Sequence, residues 1–141
     1  MSDIVSKNWI INNYSLFEIK SINSILNFFR IHNYGLAFSI FSNISKENKC
    51  FLFLINILTI IIILKIIYSM IHSHIYYNIP YVLIISGAIG NLISRLYFGF
   101  VIDFIDIHFK NWHSATFNIA DISICIGCIF LLYIYFFEKN K

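Results

Sequence analysis

Two aspartates stand beside long apolar runs in the C-terminal half of the chain, Asp103 in "GFVIDFIDIHF" and Asp121 in "FNIADI". A carboxylate in such a place is costly, which makes it a functional candidate. Two carboxylates brought close together do not both ionise readily. One is driven to hold a proton, and the pair titrates as a unit. Aspartic-peptidase chemistry requires that arrangement. The ionised member takes a proton from water as general base, while the protonated member donates to the carbonyl oxygen of the scissile peptide. Asp103 and Asp121 bracket one connection between two apolar segments, and a short connection brings both to the same depth. A cheaper reading exists for Asp121. Asn118 has the type and position of a helix N-cap, with Asp121 three residues on, near the positive end of the helix dipole. On the residues alone, both readings stay open.

Further polar residues lie within or next to the apolar runs. Gly87, Asn91 and Arg95 are spaced by four and share one helical stripe. That stripe is either interhelical glue or a polar wall facing a reaction site. Asp103, Asp106 and His108 form D-x-x-D-x-H, which has ligand types but no familiar spacing for one metal, and His113 adds no obvious geometry. Asp106 and His108 read better as solvated loop residues, so no metal is expected.

The elements that must position these groups are mostly membrane spans. The chain has 141 residues, 59% hydrophobic, 18% aromatic and 12% charged, against roughly 25% charged in soluble domains. A span needs about 20 apolar residues. Three stretches qualify: 50–68, 79–98 and 119–137. Lys65 is placed to snorkel from the first, and Pro80 to start the second. Residues 1–49 are mixed. Ile22, Ile25, Leu26 and Phe29 fall at i, i+3, i+4 and i+7, which predicts an amphipathic helix on the membrane surface or on the bundle. "YSLFEIK" and "FRIHNYGLAFSIF" read as short strands. No signal peptide is expected at "MSDIVSKNW".

Net charge is +3, without a Lys/Arg cluster, which argues against nucleic-acid binding. Cys125 and Cys128 form C-x-x-C within "ISICIGCIF", where they read as small apolar residues of a helix rather than a redox or zinc site. Lys139 and Lys141 favour a cytoplasmic C-terminus, whereas Lys7, Lys20, Arg30, Lys46 and Lys49 argue against placing residues 1–49 outside. Charge alone leaves orientation open.

Four blocks, in order, resemble those of lipoprotein signal peptidase, the type II signal peptidase of bacteria. "NYGLAFS" (Asn33–Ser39) is similar to N-x-G-x-A-F-[SG]. "GAIGNLISR" (Gly87–Arg95) is similar to G-A-x-G-N-x-x-D-R. "GFVIDF" and "FNIAD" are similar to the two blocks that carry the family's catalytic aspartates. The resemblance covers essentially the whole chain. It implies an all-α polytopic fold, a family bundle of four transmembrane helices with a small extracytoplasmic β-cradle or amphipathic helix. It implies a cofactor-free aspartic endopeptidase of the bacterial inner membrane that acts on lipidated prolipoproteins and cuts just before the diacylglyceryl-modified cysteine. Asp103 and Asp121 would be the dyad, near the outer face, with both termini in the cytoplasm. Asn33, Asn91, Arg95 and Asn118 would line the site and contact substrate. Membrane lipids are the other expected partners, and a monomer is expected.

The chain also departs from the family pattern. Ser94 stands where the family has an Asp that helps hold the arginine, the proline usual before F-N is missing from "HSATFN", and Ile122 replaces a small residue. "DIVSK" (Asp3–Lys7) resembles D-Q-x-x-K at the outer end of the first span. The apolar residues that precede that motif in the family are absent: either the true start lies upstream, or most of one span is lost and the first segment does not cross the bilayer. The competing reading is a non-catalytic membrane protein in which Asp103 and Asp121 only cap helices.

Overall fold

The computed structural model describes residues 1–35, 49–71, 78–110 and 112–138. The LAFS half of the first family block, Lys46, His72, His74, Lys139 and Lys141 lie outside the described residues. In chain order the elements are α1 (Ser2–Asn13), β1 (Ile19–Ser21), β2 (Leu26–Asn33), α2 (Lys49–Ile71), α3 (Asn78–Phe98), β3 (Val101–Phe109), β4 (Trp112–His113) and α4 (Ile119–Glu138). Among the described residues, three helices are long and apolar enough to cross a membrane, over Cys50–Ser69, Asn78–Phe98 and Ile119–Phe137. Their outward faces carry exposed Phe53, Leu54, Leu64, Ile129, Leu132 and Phe136. That much contiguous apolar surface is tolerable only against lipid.

Polar groups concentrate in α3, which packs against both other long helices. Its stripe of small residues lets α4 come close. A Cβ added at Gly87 would lie 2.4 Å from the Ala120 carbonyl oxygen and 2.7 Å from the Ile124 side chain. Ser123 adds a hydrogen bond across the same seam, donating to the Leu83 carbonyl at 2.8 Å. In lipid there is little hydrophobic gain from helix association, so close packing and such bonds carry it.

A four-stranded antiparallel sheet, in the order β1-β2-β3-β4, sits at the end of the helices that carries Arg95 and Asp121. The amphipathic helix expected over Ile22–Phe29 does not form. Ile22–Ile25 is the turn of a hairpin, and Leu26–Asn33 is strand β2. Local hydrogen bonding overrides the helical spacing of the apolar residues. The Asn23 side-chain oxygen accepts from the backbone N–H of Ile25 and of Leu26, both at 2.9 Å. Asn is a turn former for that reason. Of "YSLFEIK", only Ile19 and Lys20 enter a strand.

The region after Gly99, read from sequence as a loop around Asp106 and His108, is strand β3. Asp106 is buried rather than solvated. It accepts from Asn27 at 2.9 Å and pairs with His113 at 2.8 Å. Because side chains alternate along a strand, Asp103 and Asp106 leave opposite faces, and the D-x-x-D-x-H run converges on no single point.

Helix α1 has 12 residues. Its buried face is Asp3, Lys7 and Ile10. Ile10 joins Tyr14, Ile102 and Phe104 in the core beneath the sheet. Arg30 of β2 holds the helix end by donating to the carbonyls of Tyr14 at 2.6 Å and Ile11 at 3.2 Å.

The seam at Gly87 generates a stability prediction. Gly87→Ala must push α3 and α4 apart, because the obstructing atom is backbone. A loss of about 1–3 kcal/mol is expected, read as a lower unfolding temperature in detergent.

Candidate active site

Strand β3 supplies one carboxylate, Asp103, and the first turn of α4 supplies the other, Asp121. The chain returns alongside β3 before α4 starts: Phe117 N–H donates to the Ile105 carbonyl at 3.0 Å, and the Phe117 carbonyl accepts from Ile105 N–H at 2.8 Å. That pairing lays Asn118 beside Asp103. On the other side of β3 the ladder with β2 is interrupted, so that Phe29 and Arg30 together oppose Phe104. Such bulges bend a strand locally and re-aim side chains. Beyond it, Asn33 lies diagonal to Asp103 and on the same face.

Asp103 is fully buried. Its Oδ1 accepts from Asn118 Nδ2 at 2.6 Å and its Oδ2 from Asn33 Nδ2 at 2.8 Å. Asp121 occupies the third position of α4. Its Oδ1 accepts from Asn91 Nδ2 at 2.8 Å, and its Oδ2 from the backbone N–H of Asn118 at 3.2 Å. Asn118 returns a bond, its Oδ1 accepting from the Asp121 N–H at 3.0 Å. This is a reciprocal N-terminal cap. The capping reading of Asn118 and Asp121 therefore holds, and the capping residue also binds Asp103. The capping reading of Asp103 does not hold, because Asp103 lies within strand β3.

The amides have one allowed orientation each. Asn33 Oδ1 is taken by the Gly35 N–H at 2.8 Å, so its NH2 faces Asp103. Asn118 Oδ1 is taken by the Asp121 N–H, so its NH2 faces Asp103 and, at 3.3 Å, Asn91 Oδ1. Asn91 Oδ1 also accepts from Lys7 Nζ at 2.9 Å, so its NH2 faces Asp121. Arg95, one turn along α3, donates from Nη2 to the Gly35 carbonyl at 3.0 Å, and its charge acts on both carboxylates. Asp103, Asp121, Asn33, Asn91, Arg95 and Asn118 thus form one buried cluster.

Two further residues join it that chemistry-based reading of the sequence did not select. Lys7 pairs with Asp3 at 2.8 Å, and Asp3 Oδ1 accepts from the Ala120 N–H at 3.0 Å, 117 positions away. Asp3 fits because residue 90 is glycine; a Cβ there would lie 2.8 Å from Asp3 Oδ2. Apart from the likeness of "DIVSK" to D-Q-x-x-K, their sequence signal is an i, i+4 acid–base spacing, which also describes any solvated helix face. Ser94 donates back to the Gly90 carbonyl at 3.0 Å and borders a groove with Lys7 and Asn8. Position 94 faces α1 here, since adjacent helix residues do not share a face.

Burial and the neighbouring Asp121 charge raise the Asp103 carboxyl from the ordinary range to about 7, against the pull of Asn33, Asn118 and Lys7. Beside Asp121 an apolar groove of about 250 Å³ opens, lined by Phe117, Ile122, Cys125 and Ile126. A proton-sharing carboxylate pair next to an apolar groove can activate water against a carbonyl.

Comparison with known proteins agrees along the whole length. The family model described as "Signal peptidase (SPase) II" matches residues 1–137. The lipoprotein signal peptidase of Buchnera aphidicola subsp. Baizongia pistaciae is 54% identical over 132 residues, covering 93% of this chain and 81% of that protein. The lipoprotein signal peptidase of Blochmanniella pennsylvanica is 39% identical, covering 99% of this chain and 86% of that protein. A bacterial membrane enzyme solved by the in meso method at 2.3 Å resolution superposes with a TM-score of 0.79, at 31% identity, over 99% of this chain and 86% of that one.

Asn118 is the member whose removal the geometry penalises most directly. Asn118→Ala deletes an N-cap and leaves Asp103 with one amide donor fewer. A stability loss of at least about 1 kcal/mol is expected from the cap alone, checked by thermal unfolding in detergent.

Proposed function

This chain belongs to the signal peptidase II family, and from that premise we propose that Asp103 and Asp121 are the catalytic dyad with which it removes signal peptides from lipoproteins. The observation that carries the assignment is the double contact of Asn118, which binds Asp103 through its side chain and Asp121 through its backbone N–H. Two buried carboxylates held by one residue share a proton more readily than they carry two charges. The enzyme is then of the aspartic type. Water between the carboxylates loses a proton to the ionised member and attacks the scissile carbonyl, whose oxygen is protonated by the other. Collapse of the tetrahedral intermediate returns a proton to the leaving amine. Asn33, Asn91 and Asn118 hold the carboxylates at fixed angles, so the site is preorganised rather than assembled during reaction. Arg95 tempers their negative charge.

The substrate is a lipidated prolipoprotein, cut just before the diacylglyceryl-modified cysteine. An apolar groove beside Asp121, bordered by Ile122 and Ile126, suits the hydrophobic neighbourhood of that bond. Placement near the outer face of the bacterial inner membrane is supported by the sheet at the end of the spans that carries Asp121. Exposed Trp9 and Trp112 on that side suit a membrane–water interface. The sheet would be the extracytoplasmic cradle over the site, α1 would stand where the family's first span ends, and the unit would be a monomer with lipid against α2 and α4.

Cleavage of a diacylglyceryl-modified prolipoprotein tests the dyad. Asp103→Asn and Asp121→Asn are each expected to lower the rate by roughly 10³-fold or more. Undiminished cleavage by either variant rejects the assignment. The raised Asp103 carboxyl also sets a pH limit. The group is protonated below about 7 and ionised above it. The form with one proton is therefore lost as pH rises, and kcat/KM is expected to fall on the alkaline side of that value.

A further inference from the structure

The cluster around the dyad buries two cations and three carboxylates: Lys7 and Arg95 with Asp3, Asp103 and Asp121. A single proton among the carboxylates makes the set neutral. Uncompensated charge away from water is costly, so this composition favours the state that peptide hydrolysis needs, one proton on the dyad and one carboxylate free to act as base.

Lys7 links that charge balance to the geometry. Its ammonium only donates. It occupies Asn91 Oδ1 at 2.9 Å and thereby turns the Asn91 NH2 to Asp121 Oδ1 at 2.8 Å. With the amide reversed, Asn91 would present oxygen to oxygen, which Asp121 tolerates only when it carries a proton. Lys7 is almost completely buried, at 2% exposure, and is faced from every element around it. Asp3 lies on its own helix, Asn91 and Arg95 on α3, Asp103 on β3 and Asp121 on α4. Lys7 interacts electrostatically with Asp3, Asp103 and Asp121.

We infer that Lys7 is a positioning residue of this peptidase: by aiming the Asn91 amide and balancing Asp3, it keeps the Asp103–Asp121 dyad at one proton. Lys7 touches neither the reacting water nor the peptide in this role. The inference rests on the dyad assignment above.

The pH profile of prolipoprotein cleavage separates this role from a merely structural one. Lys7→Met removes a cation, so the dyad holds its protons to higher pH. Both limbs of the profile are expected to move up by about one unit or more, so that activity is lost on the acid side and persists further on the alkaline side. Asp3→Asn removes a carboxylate, so its limbs should move the opposite way. The double variant Asp3→Asn/Lys7→Met restores the balance, and its limbs should return to within about half a unit of wild type. Lys7→Arg keeps both charge and donors and should leave the limbs in place.

Activity lost equally at every pH in Lys7→Met, limbs moving the same way in the two single variants, or no return in the double variant each overturns the inference. If Lys7→Met does not fold, the opposite shift in Asp3→Asn and its reversal in the double variant decide alone. Failure of the dyad assignment is distinguishable, because cleavage would then survive Asp103→Asn or Asp121→Asn.

Discussion

Asn118 touches both carboxylates at once, and much of the molecule exists to keep it there. Its side chain reaches Asp103 at 2.6 Å and its backbone N–H reaches Asp121 at 3.2 Å. Neither carboxylate is in contact with bulk water to any useful extent, so each oxygen must find its donors within the protein. Four donors meet four oxygens: the amides of Asn33, Asn91 and Asn118, and one backbone N–H. None of these amides can rotate freely, because each side-chain oxygen is already committed to another donor. A buried polar network of this kind is rigid when complete and costly when any part is missing.

Several local features follow from that requirement. The irregularity opposite Phe104 sets Asn33 and Asp103 on one face of the sheet. The pairing of Phe117 with Ile105 places the start of α4 against β3. The reciprocal cap between Asn118 and Asp121 starts a helix and points a carboxylate with the same two bonds. Close approach at Gly87 lets α3 and α4 share a seam, which brings Asn91 within reach of both Asp121 and Asn118. Gly90 leaves the volume that the Asp3 carboxylate fills. The bulk of the three long helices has a different task, which is to present aliphatic surface to lipid and hold this end of the bundle in place.

The order in which these groups meet explains why the site is confined to one depth. Asp3, Lys7, Asn91 and Asp121 come from three helices, and Asn33 and Asp103 come from two strands. All converge where the helices meet the sheet. A deeper site would surround the carboxylates with aliphatic side chains and give them no donors. A shallower one would let water screen the pair and weaken the coupling that keeps a proton between them.

The amino-acid sequence by itself determined that the chain is a membrane protein, since long apolar runs with almost no charge have no soluble alternative. It also exposed the six polar residues of the site, because polar groups are conspicuous against an aliphatic background and the family blocks name them. It revealed the sheet only in part: "YSLFEIK" and "FRIHNYGLAFSIF" read as strands and overlap β1 and β2, whereas β3 read as a loop. The spacing of Ile22, Ile25, Leu26 and Phe29 fits a helix, and only Asn23 and the pairing of β2 with β3 decide for a hairpin. Asp106 looked solvated because its partners, Asn27 and His113, lie far off in sequence or across a strand pairing. Asp3 and Lys7 matched a family motif, but nothing in the residues themselves gave them a place in the site, since an acid and a base four apart suit any exposed helix. What the tertiary structure alone decided is that this pair is buried against Asn91 and the first turn of α4. The physical reason is that burial and hydrogen-bond direction depend on which distant segments meet, and periodicity along the chain carries no record of that.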